Sequence, residues 1–138
     1  MSMLSIFNVS GSAASAQSQR LNVVASNLAN AETVAGPNGQ AYKAHQVTFQ
    51  TVLMNTGDGS PGQGVRVSGV TEDQSPGRKV HDPANPSADA DGYVTYSNVN
   101  AVDEMVNMIS ASRSYQNNIE VMNTAKTLLM KTLQMGQG

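Results

Sequence analysis

No cysteine occurs anywhere in the 138-residue chain, which excludes disulfides and thiolate-based zinc sites. Tryptophan is missing as well, and with two Phe and 4% aromatics the large side chains that usually dominate a core are scarce. Charge is sparse: 13% of residues are Asp, Glu, Lys or Arg, about half the usual share. The 8 basic and 10 acidic residues nearly balance at a net charge of −2, so there is neither a basic stripe for nucleic acid nor a charge excess that would force disorder. No apolar run reaches the length of a membrane span, and direct membrane insertion is not expected. The opening MSMLSIFNVSGSAASAQSQR lacks the basic start and continuous apolar centre of a cleavable secretory signal. A large enzyme core does not fit this length.

What the chain does contain is 39% hydrophobic residues, many of them Ala, Val and Met, among plentiful Ser, Asn, Gln and Gly. Low hydrophobicity combined with low charge describes a polar chain that completes its burial against partners. Residues 3–31 place Phe7, Ala14, Leu21 and Leu28 seven apart, flanked by Met3, Leu4, Val24, Ala25 and Ala31, which is one apolar stripe on a helix. Gly11 and the serines from Ser10 to Ser18 weaken it locally. Gly36-Pro37-Asn38-Gly39 is strong turn chemistry, so the helix is expected to end between Asn30 and Ala35.

From Ala101 to about Met135 a second helix is expected, with Met105, Met108, Ile109, Tyr115, Ile119, Met122, Leu129 and Leu133 recurring at helical steps. Asn100 is placed to cap it, Asp103 and Glu104 fall in its first turn, Lys126 and Lys131 in its last turns, and Gly136 and Gly138 stop it. Between the helices, AYKAHQVTFQTVL, GVRVSGVTED, GRKVHD and GYVTYS are short β-branched runs separated by turn residues. The fold class is therefore α+β: a helix over 1–35, a β-rich region with small antiparallel strands over 36–97, and a helix over 98–138. The run from Gly57 to Gly64 is expected as an exposed loop, within a variable stretch at 55–64.

Motifs with chemical meaning fail on context. Gly57, Gly59 and Gly62 match a dinucleotide fingerprint, yet Pro61 interrupts it and the strand-like Val65-Arg66-Val67 follows where a helix is needed. Asp89-Ala90-Asp91-Gly92 hints at a calcium loop, but counting from Ser87 the first ligand is a Ser and the twelfth residue is Asn98 in place of a bidentate Glu, so a tight turn is expected. His45 and His81 stand far apart without a third ligand and read as ordinary polar residues. No nucleophile elbow or phosphate loop occurs. No catalytic residue, cofactor or metal is expected.

The segments GSAASAQSQRLNVVASNLANAET and NVNAVDEMVNMISASRSYQNNIEVMNTAKTLLMKTLQMGQ resemble the N- and C-terminal signatures of the bacterial flagellar rod and hook family. HDPANPSADADGYVTYSNVN resembles its proximal-rod members, as does the short length. The resemblance implies a structural subunit, exported uncleaved by the flagellar type III apparatus, whose terminal helices pack as a coiled-coil-like layer around the export channel. It also implies a rod that crosses the periplasm, with other copies of the chain, proximal and distal rod proteins, and the membrane ring and export gate as neighbours. On this reading Phe7, Leu21, Val24, Leu28, Met105, Ile109, Tyr115, Ile119, Met122, Leu129 and Leu133 pack within or between subunits. Asn27, Asn30, Asn117, Asn118 and Asn123 supply polar register contacts. The alternative is a non-flagellar secreted interaction module with the same helical ends.

Overall fold

A computed structural model of the chain describes residues 2–55, 59 and 61–136. The element order is α1 (Met3–Ala29), β1 (His45–Asn55), β2 (Pro61–Glu72), β3 (Lys79–His81), β4 (Tyr93–Thr95) and α2 (Ala101–Gly136). All four β-branched runs form strands. β1 pairs with β2 and β3 with β4, in two separate sheets.

Local chemistry starts and ends the helices. Ser2 Oγ accepts from Ser5 N and Ser5 Oγ accepts from Ser2 N, both at 3.2 Å, a reciprocal cap in which Ser replaces the usual Glu or Gln. Gly11 and the serine run do not interrupt α1, which ends at Ala29, one residue before the expected window. Asn100 Oδ1 accepts from the amides of Val102 at 3.1 Å and Asp103 at 3.3 Å, the cap read from the sequence. At the far end α2 runs through Gly136, within one residue of the expected end near Met135; its final turn holds no basic residue, and Lys131 lies further inside. Gly138 lies outside the described residues. The expected 57–64 loop is also shorter, because β2 begins at Pro61; residues 56–58 and 60 lie outside the described set.

Contacts divide the chain into two compact units. One comprises Met1–Leu21, Thr48–Gly69 and Ser110–Gly138; the other comprises Asn22–Val47 and Val70–Ile109. In the first unit the buried side chains are small: Ser5, Ser10, Ala14, Ala16, Ala111 and Ala125. Met122 of α2 packs over Gly11 of α1: a Cβ built on the glycine would lie 3.6 Å from Met122 Cε, an ordinary contact distance. Ser12 Oγ donates to Val9 O at 2.7 Å and accepts from Val65 N at 3.1 Å, which fastens β2 to α1. The hairpin can come that close because Gly64 is a glycine; a Cβ there would meet Met54 Sδ and Ser12 Oγ.

In the second unit Val94 is fully buried and pairs with Val80, in a register that sets Lys79 against Thr95 and His81 against Tyr93. The stretch after α1 extends this sheet through a Val34–Tyr96 bridge and a 2.8 Å bond from Ala35 N to Thr95 O. Asp89 Oδ1 accepts from the amides of Asp91 at 3.0 Å and Tyr93 at 2.9 Å, and Gly92 takes φ 83°, which makes Asp89–Gly92 the tight turn expected from the sequence.

Gly77 approaches the carbonyl oxygen of Tyr96 so closely that any Cβ would collide with backbone. Gly77→Ala is expected to destabilise the chain by about 1–3 kcal/mol, measured by denaturant unfolding. Gly69→Ala, where nothing lies within 4 Å of the new carbon, is the control and should leave the midpoint unchanged.

Candidate assembly surfaces

Asn27 is the most constrained polar side chain in the second unit, at 1% exposure. Its Oδ1 accepts from His45 N and from the Tyr42 hydroxyl, each at 2.9 Å. Its Nδ2 donates to His45 O at 2.8 Å and to Glu104 Oε2 at 3.1 Å. Both lone-pair positions and both N–H groups of the carboxamide are therefore used. Because it bonds both the N–H and the C=O of His45, Asn27 stands where a neighbouring strand would stand. One side chain thereby ties the end of α1 to the start of β1 and to the first turn of α2.

His45, unremarkable in the sequence, extends this cluster. Its Nδ1 lies 2.9 Å from the Tyr42 hydroxyl and its Nε2 lies 3.5 Å from Glu72 Oε1. Asn98 performs a similar service nearby, accepting from Ala44 N at 2.7 Å and donating to Asp73 O at 2.8 Å. Ser97 Oγ donates to Ala31 O at 2.8 Å. The Ser75 hydroxyl and amide, bonded to Asp73 Oδ1 at 2.6 and 2.9 Å, hold the Asp73 carboxyl below its ordinary value.

The five asparagines named from the sequence occupy different settings. Only Asn27 joins separate elements by its side chain. Asn30 Nδ2 donates to Ser26 O and Asn118 Nδ2 to Ser114 O, each at 2.8 Å, so both bond back onto their own helix. Asn117 and Asn123 are exposed and line a groove of about 900 Å³ in the first unit, bounded across α1 by Met3 and Ile6.

The apolar candidates divide likewise. Val24 is buried, while Phe7, Leu21, Leu28, Ile119, Met122 and Leu129 are half-buried. Phe7 and Leu129 share a small apolar cavity of about 310 Å³ in the first unit. Met105, Ile109, Tyr115 and Leu133 are exposed, at 54, 56, 36 and 60%. Val102 and Val106, unnamed at the sequence level, complete a stripe with Met105 and Ile109 at helical spacing. Both were legible as i, i+4 partners. Of the buried alanines, Ala14 and Ala31 stood in the α1 stripe, whereas Ala16, Ala44, Ala111 and Ala125 were not legible, because alanine gives little periodic contrast.

Two family descriptions match the chain at its ends: "Flagella basal body rod protein" over residues 7–37, and "Flagellar basal body rod FlgEFG protein C-terminal" over residues 90–135. Full-length relatives extend the match through the middle. The flagellar basal-body rod protein FlgC of Salmonella typhimurium is 56% identical over 140 residues, covering 99% of this chain and 100% of the relative. The chain belongs to the FlgC family of flagellar basal-body rod proteins. A FlgC from Yersinia enterocolitica is 57% identical over 99% of the chain and all of the relative. The FlgC of Bacillus subtilis retains 42% identity over 94% of the chain and 95% of the relative. The two described family regions contain Asn27 and Glu104, the helix positions that the carboxamide joins. No helix among the described residues is long and apolar enough to cross a membrane.

Asn27→Ala is expected to cost about 1–3 kcal/mol, since it orphans the buried amide of His45; Asn30→Ala and Asn118→Ala should each stay within about 0.5 kcal/mol. Unfolding of the purified full chain in urea measures all three. In a carbon-detected NMR titration the Asp73 carboxyl should titrate below 3.8, and Ser75→Ala should move it upward. With its folded value depressed, the stabilisation from Asp73 is present above the ordinary carboxylate value and lost as pH falls through the folded one.

Proposed function

We propose that the chain is a structural subunit of the proximal rod of the bacterial flagellar basal body, without an enzymatic step. It assembles helically through its terminal helices around the export channel, with further copies and other rod proteins, proximal and distal, as neighbours. The membrane ring and export gate lie nearby. The subunit reaches its place across the periplasm by the flagellar type III apparatus, without a cleaved signal peptide. The observation that carries this reading is the family match at both helical ends combined with large apolar side chains left outside on α2, among them Val102, Met105, Val106, Ile109 and Leu133.

Those residues favour burial, and a chain whose own buried side chains are mostly small has no room for them. In a helical polymer one heterologous contact repeats at every subunit, so a modest stripe suffices. Val24, Phe7 and Leu129 hold the subunit together on this reading, while Met105, Ile109, Tyr115 and Leu133 face neighbours. Asn117 and Asn123 supply polar contacts across the groove. The three sequence segments serve separate roles, the ends as the helical layer and residues 36–97 as an outer β-rich region.

Deleting the gene in a flagellated host should abolish swimming and leave basal bodies without a complete rod, scored by electron microscopy. Complete rods in the deletion strain would overturn the reading. Leu129→Asp and Ile119→Asp should block rod completion while the protein is still synthesised, because each forces a charge into a packed helix contact.

A further inference from the structure

Asn38 is the one asparagine in the chain that precedes a glycine. Its setting is open: residues 36–40, in the connection between α1 and β1, are all exposed. Gly39 N donates to Gly36 O at 2.9 Å and Gly36 N donates to Gln40 O at 3.2 Å, which closes a turn around Pro37 and Asn38. Gln40 N donates to Asn38 Oδ1 at 3.2 Å. Gly39 takes φ 75°, and a Cβ built on it would meet nothing within 4 Å, so the space beside it is free.

We propose that Asn38 is a site of spontaneous deamidation in the folded chain. The Gly39 amide nitrogen, having yielded its proton to hydroxide, forms a bond to Asn38 Cγ. The bond from Cγ to the side-chain nitrogen breaks, and that nitrogen takes a proton from water and leaves as ammonia. The five-membered succinimide then takes up one water at either carbonyl and opens to aspartate or isoaspartate. Glycine makes the step accessible, because it has no Cβ to crowd the approach and its backbone turns freely. Two contacts of the turn act on the step in opposite senses. The Gly39 proton is held by Gly36 O, so the turn must open before the nitrogen attacks; one hydrogen bond of ordinary net strength slows this by roughly two- to ten-fold. The Gln40 amide points at Oδ1, the oxygen that gains charge as Cγ is attacked, and favours the step.

The other asparagines are better protected. Those inside α1 and α2 are followed by amides tied into the helix ladder. Outside the helices, Pro86 after Asn85 has no N–H to lose, and Asn30, Asn55, Asn98 and Asn100 precede residues that carry a Cβ. Asn100 Oδ1 is further engaged in capping α2. Conversion of Asn38 adds one carboxylate, which takes the net charge from −2 to −3. Isoaspartate also inserts a carbon into the main chain inside the turn, so the bond from Gly39 N to Gly36 O no longer closes the same ring.

Purified full-length chain, held in mildly alkaline buffer and in parallel in guanidinium chloride, tests the assignment by peptide mass spectrometry and an isoaspartate methyltransferase assay. Asn38 is expected to convert ahead of every other asparagine, with isoaspartate among the products, at a rate in buffer that is two- to about ten-fold below that in denaturant. Asn38→Ser should abolish the early isoaspartate signal. Faster conversion at another asparagine in buffer overturns the assignment. So does an Asn38 that stays intact in both conditions, or one that converts in denaturant and not in buffer. Equal rates in the two conditions overturn the restraint ascribed to the Gly39–Gly36 bond.

Discussion

The carboxamide of Asn27 is the contact on which the second unit depends. With four hydrogen bonds at 2.8 to 3.1 Å it fixes where the chain leaves α1, where β1 begins and where the first turn of α2 lies. Each bond contributes on the order of 1 kcal/mol net, but a buried amide cannot be left half-satisfied, so the four stand or fall together. An apolar side chain of similar size would fill the space without specifying the direction of His45. Further bonds in this unit, from Asn98, Ser97 and Lys43, fasten backbone carbonyls and an amide of the connecting segments.

The first unit relies on a different constraint. Its helices and hairpin approach through Ala14, Ala16, Gly64, Ala111 and Ala125, buried or closely approached positions with little or no side chain. Close approach gains many weak contacts but buries little apolar area per residue. The larger apolar residues therefore remain outside, beside exposed Arg113 and Glu120. On the proposed reading such a subunit is finished by its neighbours, which agrees with membership in a family of basal-body rod proteins.

Much of the architecture could be read in advance. Long-period apolar spacing marked both helices, Asn100 marked the start of α2, and β-branched runs between turn residues marked the four strands. The errors arose where tertiary contacts overrode local signals. Pro61 and Gly62, strong loop formers, are the first residues of β2, the strand that pairs with β1. His45 read as an ordinary polar residue in the sequence because its partner Glu72 reaches it through chain folding, and spacing cannot reveal that.

The sequence by itself determined the element types, the Asn100 cap, the exclusion of thiol chemistry and the likeness to the flagellar rod family, because these depend on local preference and residue identity. Only the tertiary structure decided which asparagine matters. Asn27, Asn30 and Asn118 are alike in a one-dimensional reading, yet two bond their own helix and one joins three elements. A side-chain amide takes its role from the donors and acceptors that folding brings within about 3 Å, and those groups come from parts of the chain far apart in sequence.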